Sequence, residues 1–408
     1  VGALDGSNID IVVDNDIVDG IFPLEEGDTL NQTAGHTISG DSTITNNSTQ
    51  VGNANVGTIV ETTPGGTTIT VKSETEGATN FAGMTGGTIQ GSGSGNDIVN
   101  VGDIGEADAE NNINIGTAGK GITVVAGGDI TGGATDTDKT TINVADGSSL
   151  SGSAGVSGHT DFVIAENGSA TVGDFTNATA SVTGALQGGN ISGGSYTVNA
   201  DSSLTQTAGS TVTGTVAFDV NDTGSAIVGD FNNADATVTG ALQGGNIDGG
   251  TYTVNSDSNL TQTAGSAVTG IVAFDIDATG SATVGDFTGA TAQVDGNLSA
   301  GNLSLSTMVI NTGAVTANNI DDIGLSIQAG ATFAQNAGST ITGTAVIAND
   351  NADISGSASF GTIKGGSVSV ASAPTGSITD GTVFAGLESG GIKGGLHGAD
   401  DVVTVAGN

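Results

Sequence analysis

Residues 169–280 hold one 56-residue block written twice, and no other feature restricts the fold of this chain as much. Ser169–Gly224 and Ser225–Gly280 align without a gap and differ at 13 of 56 positions. A core packed from all directions does not absorb such a duplication in mid-chain, whereas a one-dimensional stack of equivalent units does. Worn copies extend the pattern. The phrase LTQTAGSTVTG of Leu204–Gly214 returns at Leu260–Gly270, at Phe333–Gly343 and, earlier, at Leu30–Gly40. Thr141–Gly168 tracks Thr197–Gly224, with Phe162 in the place of Phe218.

Within the block, short runs of alternating apolar and polar residues are broken by Gly, Asn or Asp. Alternation is the strand signal and those residues supply the turns. Thr197–Gly214, Thr215–Asn233 and Ala234–Tyr252 divide the repeat into three segments of nearly equal length. Strands of three to five residues with tight turns fit an all-β, right-handed parallel β-helix, a β-solenoid. Its coils of about 18–20 residues would stack at ~4.8 Å, three to a block and about 20 in the chain. Phe218, Phe274, Leu204 and Leu260 are the expected interior rungs. Helix is excluded by the density of Gly and β-branched residues and by the missing 3.6-residue period.

Composition agrees. Glycine contributes 71 of 408 residues, aromatics are 3%, and Trp and Cys are absent, so only a thin core of small side chains is available. A hydrophobic fraction of 36% with three prolines argues against disorder despite a net charge of −38. The five cations are Lys72, Lys120, Lys139, Lys364 and Lys393, and there is no arginine. Nucleic acid and a polybasic membrane anchor are thereby excluded as partners. Without cysteine there is no disulfide and no thiolate metal site. No apolar run approaches the ~18–20 residues of a membrane helix. The chain starts at Val1 without Met, and a removed leader is expected.

With these repeats and this composition, most of residues 30–408 resembles the β-solenoid surface proteins of bacteria: autotransporter passengers, filamentous-haemagglutinin-like adhesins and related matrix or surface-layer proteins. The resemblance implies an extracellular or cell-surface role, with a cell-surface or matrix polysaccharide as a candidate partner. No translocator barrel is recognisable.

Candidate chemistry is sparse. No cofactor is required, and calcium is the one cofactor with a case. The stretches around Asp97 (GSGNDIV) and around Asp400 and Asp401 (GGLHGADDV) look like the calcium-binding nonapeptide, in which turn carbonyls and an Asp carboxylate meet the ion. That motif works in tandem and these copies are isolated, so ordinary Asp/Gly turns remain the alternative. Asp14, Asp16 and Asp19 form a further acidic turn, and Asp136/Asp138, Asp219/Asp222 and Asp275/Asp277 are weaker ones. An enzyme is not expected. A lyase needs a clustered cation, and a glycosidase needs paired carboxylates and aromatic platforms; the chain has two Tyr and no Trp. The Gly-Gly pairs at 188–189 and 244–245 read as turn punctuation. Thr-rich stretches such as Thr67–Thr70 are too irregular for a strong ice-binding array. Asn-x-Ser/Thr sequons, among them those at Asn31, Asn177 and Asn302, are numerous in a chain so rich in these residues.

The ends complete the expectation. Residues 1–29 read as a strand segment, either a cap or a strand for another molecule; 30–380 as the solenoid; 381–408 as a last coil. Open edges pair. Ile9, Ile11, Val13 and Ile17 at one end, and Val402, Val403 and Val405 at the other, are the expected assembly residues. The expected function is a structural subunit of an extracellular filament, matrix or surface layer, polymerising with itself head to tail. The alternatives are the stalk of a secreted adhesin and a calcium- or ice-binding surface module.

Overall fold

The computed structural model describes residues 9–25, 27–46, 53–61, 66–73, 78–93, 97–107, 109–328, 330–349, 358–372, 382–394 and 403–407. The protein is all-β. It forms a β-solenoid of about 17 turns with coils of roughly 20 residues, and its strand ladders are parallel. A short 3-10 turn at Asp136–Asp138 is the one helical element among the described residues, and no helix is long and apolar enough to cross a membrane. By internal contacts the chain divides into two compact units, residues 1–210 with 223–225 and residues 211–222 with 226–408. Both are built from the same coil.

The coil has three faces. In one of them Ala241–Gly244 forms the first face, and Gly245 and Asn246 turn a corner. Ile247–Val254 then supplies the other two, divided at a register shift between Asp248 and Gly250. Gly249 and Gly250 adopt φ of 70° and 103° at that second corner, where a Cβ would be strained. Ala226 faces Leu242, Leu242 faces Leu260 and Leu260 faces Ala282, three unequal steps, the last the longest, that close one block. Three coils per block is therefore right, and near-equal coils are not. Rungs must stay in register because the core is continuous, whereas corners face water and vary in length. The longest step described, from Ile113 to Ile142, carries an outward loop around Asp136–Asp138. Lys139 Nζ pins that loop, 3.5 Å from Asp136 and 2.8 Å from Asp161. Such long coils explain about 17 turns in place of the expected number, about 20.

The interior is a set of ladders. In the first unit Val124, Leu150, Ala170, Leu186 and Leu204 stack on one face. In the second, Ala226, Leu242, Leu260, Ala282 and Leu298 do the same. The four rungs named from sequence are interior, each at most 1% exposed. A fully buried Leu or Phe is worth about 1.5–3 kcal/mol relative to exposure. Width is balanced along a ladder: Ala236 precedes Tyr252, which precedes Phe274 and then Val294. Both tyrosines are core residues, with Tyr196 and Tyr252 donating their hydroxyls to Gly193 and Gly249 carbonyls at 3.0 Å. Neither ring reaches solvent.

Candidate functional site: acidic corners and the outer coils

The acidic turns have a common geometry. Asp230 Oδ1 accepts the N–H of Asn246 in the next coil at 2.8 Å, and the Asn246 amide donates to Oδ2 at 3.2 Å. Asn246 Oδ1 in turn accepts the Ala267 N–H at 2.9 Å, one coil further. Asp174 meets Asn190 in the same way, and so does Asp286 with Asn302. The accompanying glycines are therefore more than turn punctuation. A Cβ on Gly188 or Gly244 would overlap the ring of Phe175 or Phe231, and one on Gly189 or Gly245 would overlap the Asp carboxylate. Asp-Phe in one coil and Gly-Gly-Asn in the next are two halves of one clamp.

The carboxylates singled out for calcium belong to this pattern. Asp97 is buried; its Oδ1 accepts the Ser73 N–H at 2.8 Å, and its Oδ2 accepts the Ser92 N–H at 2.7 Å and hydroxyl at 3.0 Å. Asp14 accepts the Thr33 hydroxyl. Asp16 accepts the Thr37 N–H at 2.9 Å with the His36 ring 3.3 Å away. Asp19, at a φ of 53°, accepts the Asp41 N–H at 2.8 Å. Asp14, Asp16 and Asp19 each tie their own coil to the next through Oδ1, whereas Asp97 bonds back to Ser73 of the preceding coil and locally to Ser92. The Thr37 N–H, and after it the His36 ring, hold the Asp16 carboxyl below its usual value. Among the described residues no group of three or more His, Asp or Glu side chains could hold a metal. Asp400 and Asp401 lie outside the described residues. Asp277 shows that drift between the copies is compensated: its Oδ2 accepts the Ser256 N–H at 3.0 Å and hydroxyl at 3.1 Å, where the first copy carries Asn221 and Ala200.

Residues 9–24, set apart in sequence, form a coil of the ordinary kind. Asp10 lies opposite Thr29, Ile17 opposite Ile38 and Ile21 opposite Thr43, one pairing for each face. The side chains of Ile11, Val13 and Ile17 lean inward over a concavity of about 390 Å³ that Phe22 also lines, while Val12, Val18 and Ile21 are 65%, 63% and 62% exposed. Hydrogen-bond parity fixes which backbone groups face away. Thr29 and Thr33 donate to the Ile9 and Val13 carbonyls, so odd residues of Asp10–Val13 face the second coil and Asp10 and Val12 face outward. Pro23, expected at a bend, lies within strand Ile21–Leu24. Thr43 donates to the Gly20 carbonyl, which by the same parity puts Pro23 on the outward side, where its missing N–H costs no ladder bond.

At the opposite end Val403–Val405 pairs with Thr382–Phe384, and Ala406 donates to the Phe384 carbonyl at 2.9 Å. The N–H and C=O groups of Val403 and Val405 accordingly point away from that partner. Val402 lies outside the described residues. Neither outward edge, at Asp10–Val13 or at Val403–Val405, has a partner strand among the described residues. Sequence found the apolar residues of both ends; it could not say that at the first end the free backbone groups belong to Asp10 and Val12, between the inward residues. No family model, curated protein or solved structure matches the chain.

Proposed function

We propose that this chain is a structural subunit of an extracellular filament, matrix or surface layer, assembling head to tail by parallel strand pairing. One observation carries the reading. The outermost described strands of both ends present outward backbone donors and acceptors, and both belong to the first face of the coil, so Asp10–Val13 of one copy continues the ladder of Val403–Val405 of another. Ile11 would stand over Val403 and Val13 over Val405, apolar on apolar. Heterologous contacts of this kind propagate until blocked. The extracellular setting rests on the composition and on the resemblance to bacterial surface solenoids.

Sedimentation velocity and negative-stain microscopy over a range of concentrations, with and without calcium, test the assembly. Val12→Pro removes an outward N–H without touching a bond to the second coil. Association is expected to weaken at least tenfold, with the thermal midpoint unchanged. A chain that stays monomeric at every concentration, or polymers indifferent to Val12→Pro, would overturn this mode of assembly.

A further inference from the structure

The sequons, alike in sequence, are separated by the structure. In most of those described, the asparagine amide is engaged. Asn31 is bonded to Thr29 and Asn55, Asn167 to Asp146, Asn190 to Asp174 and Asn302 to Asp286. Asn297 accepts the Ala314 N–H through Oδ1. Asn259 is exposed, but it stands on its ladder between Ala241 and Ser281, side chains of the adjoining coils.

Asn177-Ala178-Thr179 differs. Asn177 turns the second corner of its coil with φ 47° and is exposed, and its side chain makes no hydrogen bond among the described residues. Ala178 is buried and anchors the turn, while Thr179 is exposed, so the hydroxyl that the acceptor sequence needs is at the surface. The corner positions of the two adjoining coils are Gly158 and Gly193, with φ of 68° and 70°, so no side chain crowds Asn177 along the stack. The second copy of the block is an internal control. Asn233 takes the same corner with the same φ of 47°, yet Thr179 is replaced by Asp235, and Asn233 donates its amide to Asn232 at 2.9 Å.

We propose that Asn177 is an N-glycosylation site and that Asn233 is not. The donor is an oligosaccharide linked through its C1 to a polyprenyl phosphate or pyrophosphate. Asn177 Nδ2 attacks C1, and the C1–N bond forms as the C1–O bond breaks. Its electron pair leaves on the phosphate with the lipid, and the amide nitrogen gives up one proton. Sequons serve as acceptors at the surface of secreted proteins, so the proposal rests on the extracellular reading above.

The test is mass spectrometry on protein recovered from its producing cells, with fractionation recording where the chain resides. Trypsin would leave Asn177 in a very long peptide, so an Asp-specific protease and fragmentation that retains the sugar are needed. The expected result is a mass increment of one or more sugar residues on Asn177 and none on Asn233. Thr179→Asp should abolish it, and Asp235→Thr should add a second glycan at Asn233. Unmodified Asn177 in chain found outside the cell overturns the glycosylation and leaves the extracellular reading standing. Chain confined to the cell interior with bare Asn177 overturns both. A glycan on Asn177 that survives Thr179→Asp overturns the acceptor assignment.

Discussion

Leu305 shows how a single residue can work against its setting. The second corner of the coil is held by residues suited to the left-handed region: Asn233, Gly249, Gly270 and Asp322 all have positive φ there. Leu305 occupies the same corner with φ 50° and a side chain 65% exposed, so it meets the steric cost of that region and gains little burial. The cost is about 1–2 kcal/mol for an ordinary side chain. Leu305→Asn is expected to raise stability by about 1 kcal/mol in a denaturant titration; a loss would mean that the leucine packs on something outside this chain. Asp16 makes a pH-dependent contribution. Its folded value is depressed below 3.8 by the Thr37 N–H, so its stabilisation is present above 3.8 and is lost as pH falls through the lower folded value. An NMR titration should place the Asp16 carboxyl midpoint below 3.8 and show the Thr37 amide moving with it. An unshifted midpoint would mean that the bond is not formed in solution.

At the scale of the element, the unit is a pair of facing corners. A coil has few large side chains to define its neighbour's position, so the Asp–Asn clamp and the ring-against-glycine contact fix the register that small apolar rungs specify weakly. Asp230→Ala removes both bonds to Asn246 and is expected to cost about 1 kcal/mol, since the site is exposed and water replaces part of what is lost. Asp230→Asn keeps an oxygen at Oδ1 and should recover most of it. Faster amide exchange at Asn246 in the alanine variant alone would locate the effect. Equal stability of all three chains would sink the clamp.

At the scale of the whole molecule, the two blocks show what the stack tolerates. Of the positions that differ between them, all but one are half-buried or exposed; the exception, Val220 against Ile276, exchanges one β-branched apolar residue for another. Because three unequal steps close one block, a whole block can be lost without shifting any rung. Deleting Ser225–Gly280 joins Gly224 to Ser281 and recreates the native Thr-Gly-Ser-Ala junction. The shortened chain should keep its β circular-dichroism spectrum and a thermal midpoint within about 5 °C, as near-additive stacks do. Deleting Val216–Val272, slightly longer than a block and cut in mid-strand, should not. Beyond that junction inward and outward positions would exchange.

The period, the parallel all-β stack, the three coils per block and the interior places of Leu204, Leu260, Phe218 and Phe274 were legible in the residues, because ladders repeat side-chain character at fixed steps and a duplicated block displays the step directly. The mean coil length was legible too, but the unequal lengths of individual coils were not, since corners are free to grow without disturbing a rung. Nor were the partners of Asp97 and Asp16, the space that Gly244 leaves for Phe231, or the outward backbone of Asp10, Val12 and Pro23. Those depend on which residue of the adjoining coil comes opposite, as near in sequence as Leu242 to Ala226 or as far as Ile142 to Ile113. Contacts made across coils are long-range in sequence, and only the folded stack decides them.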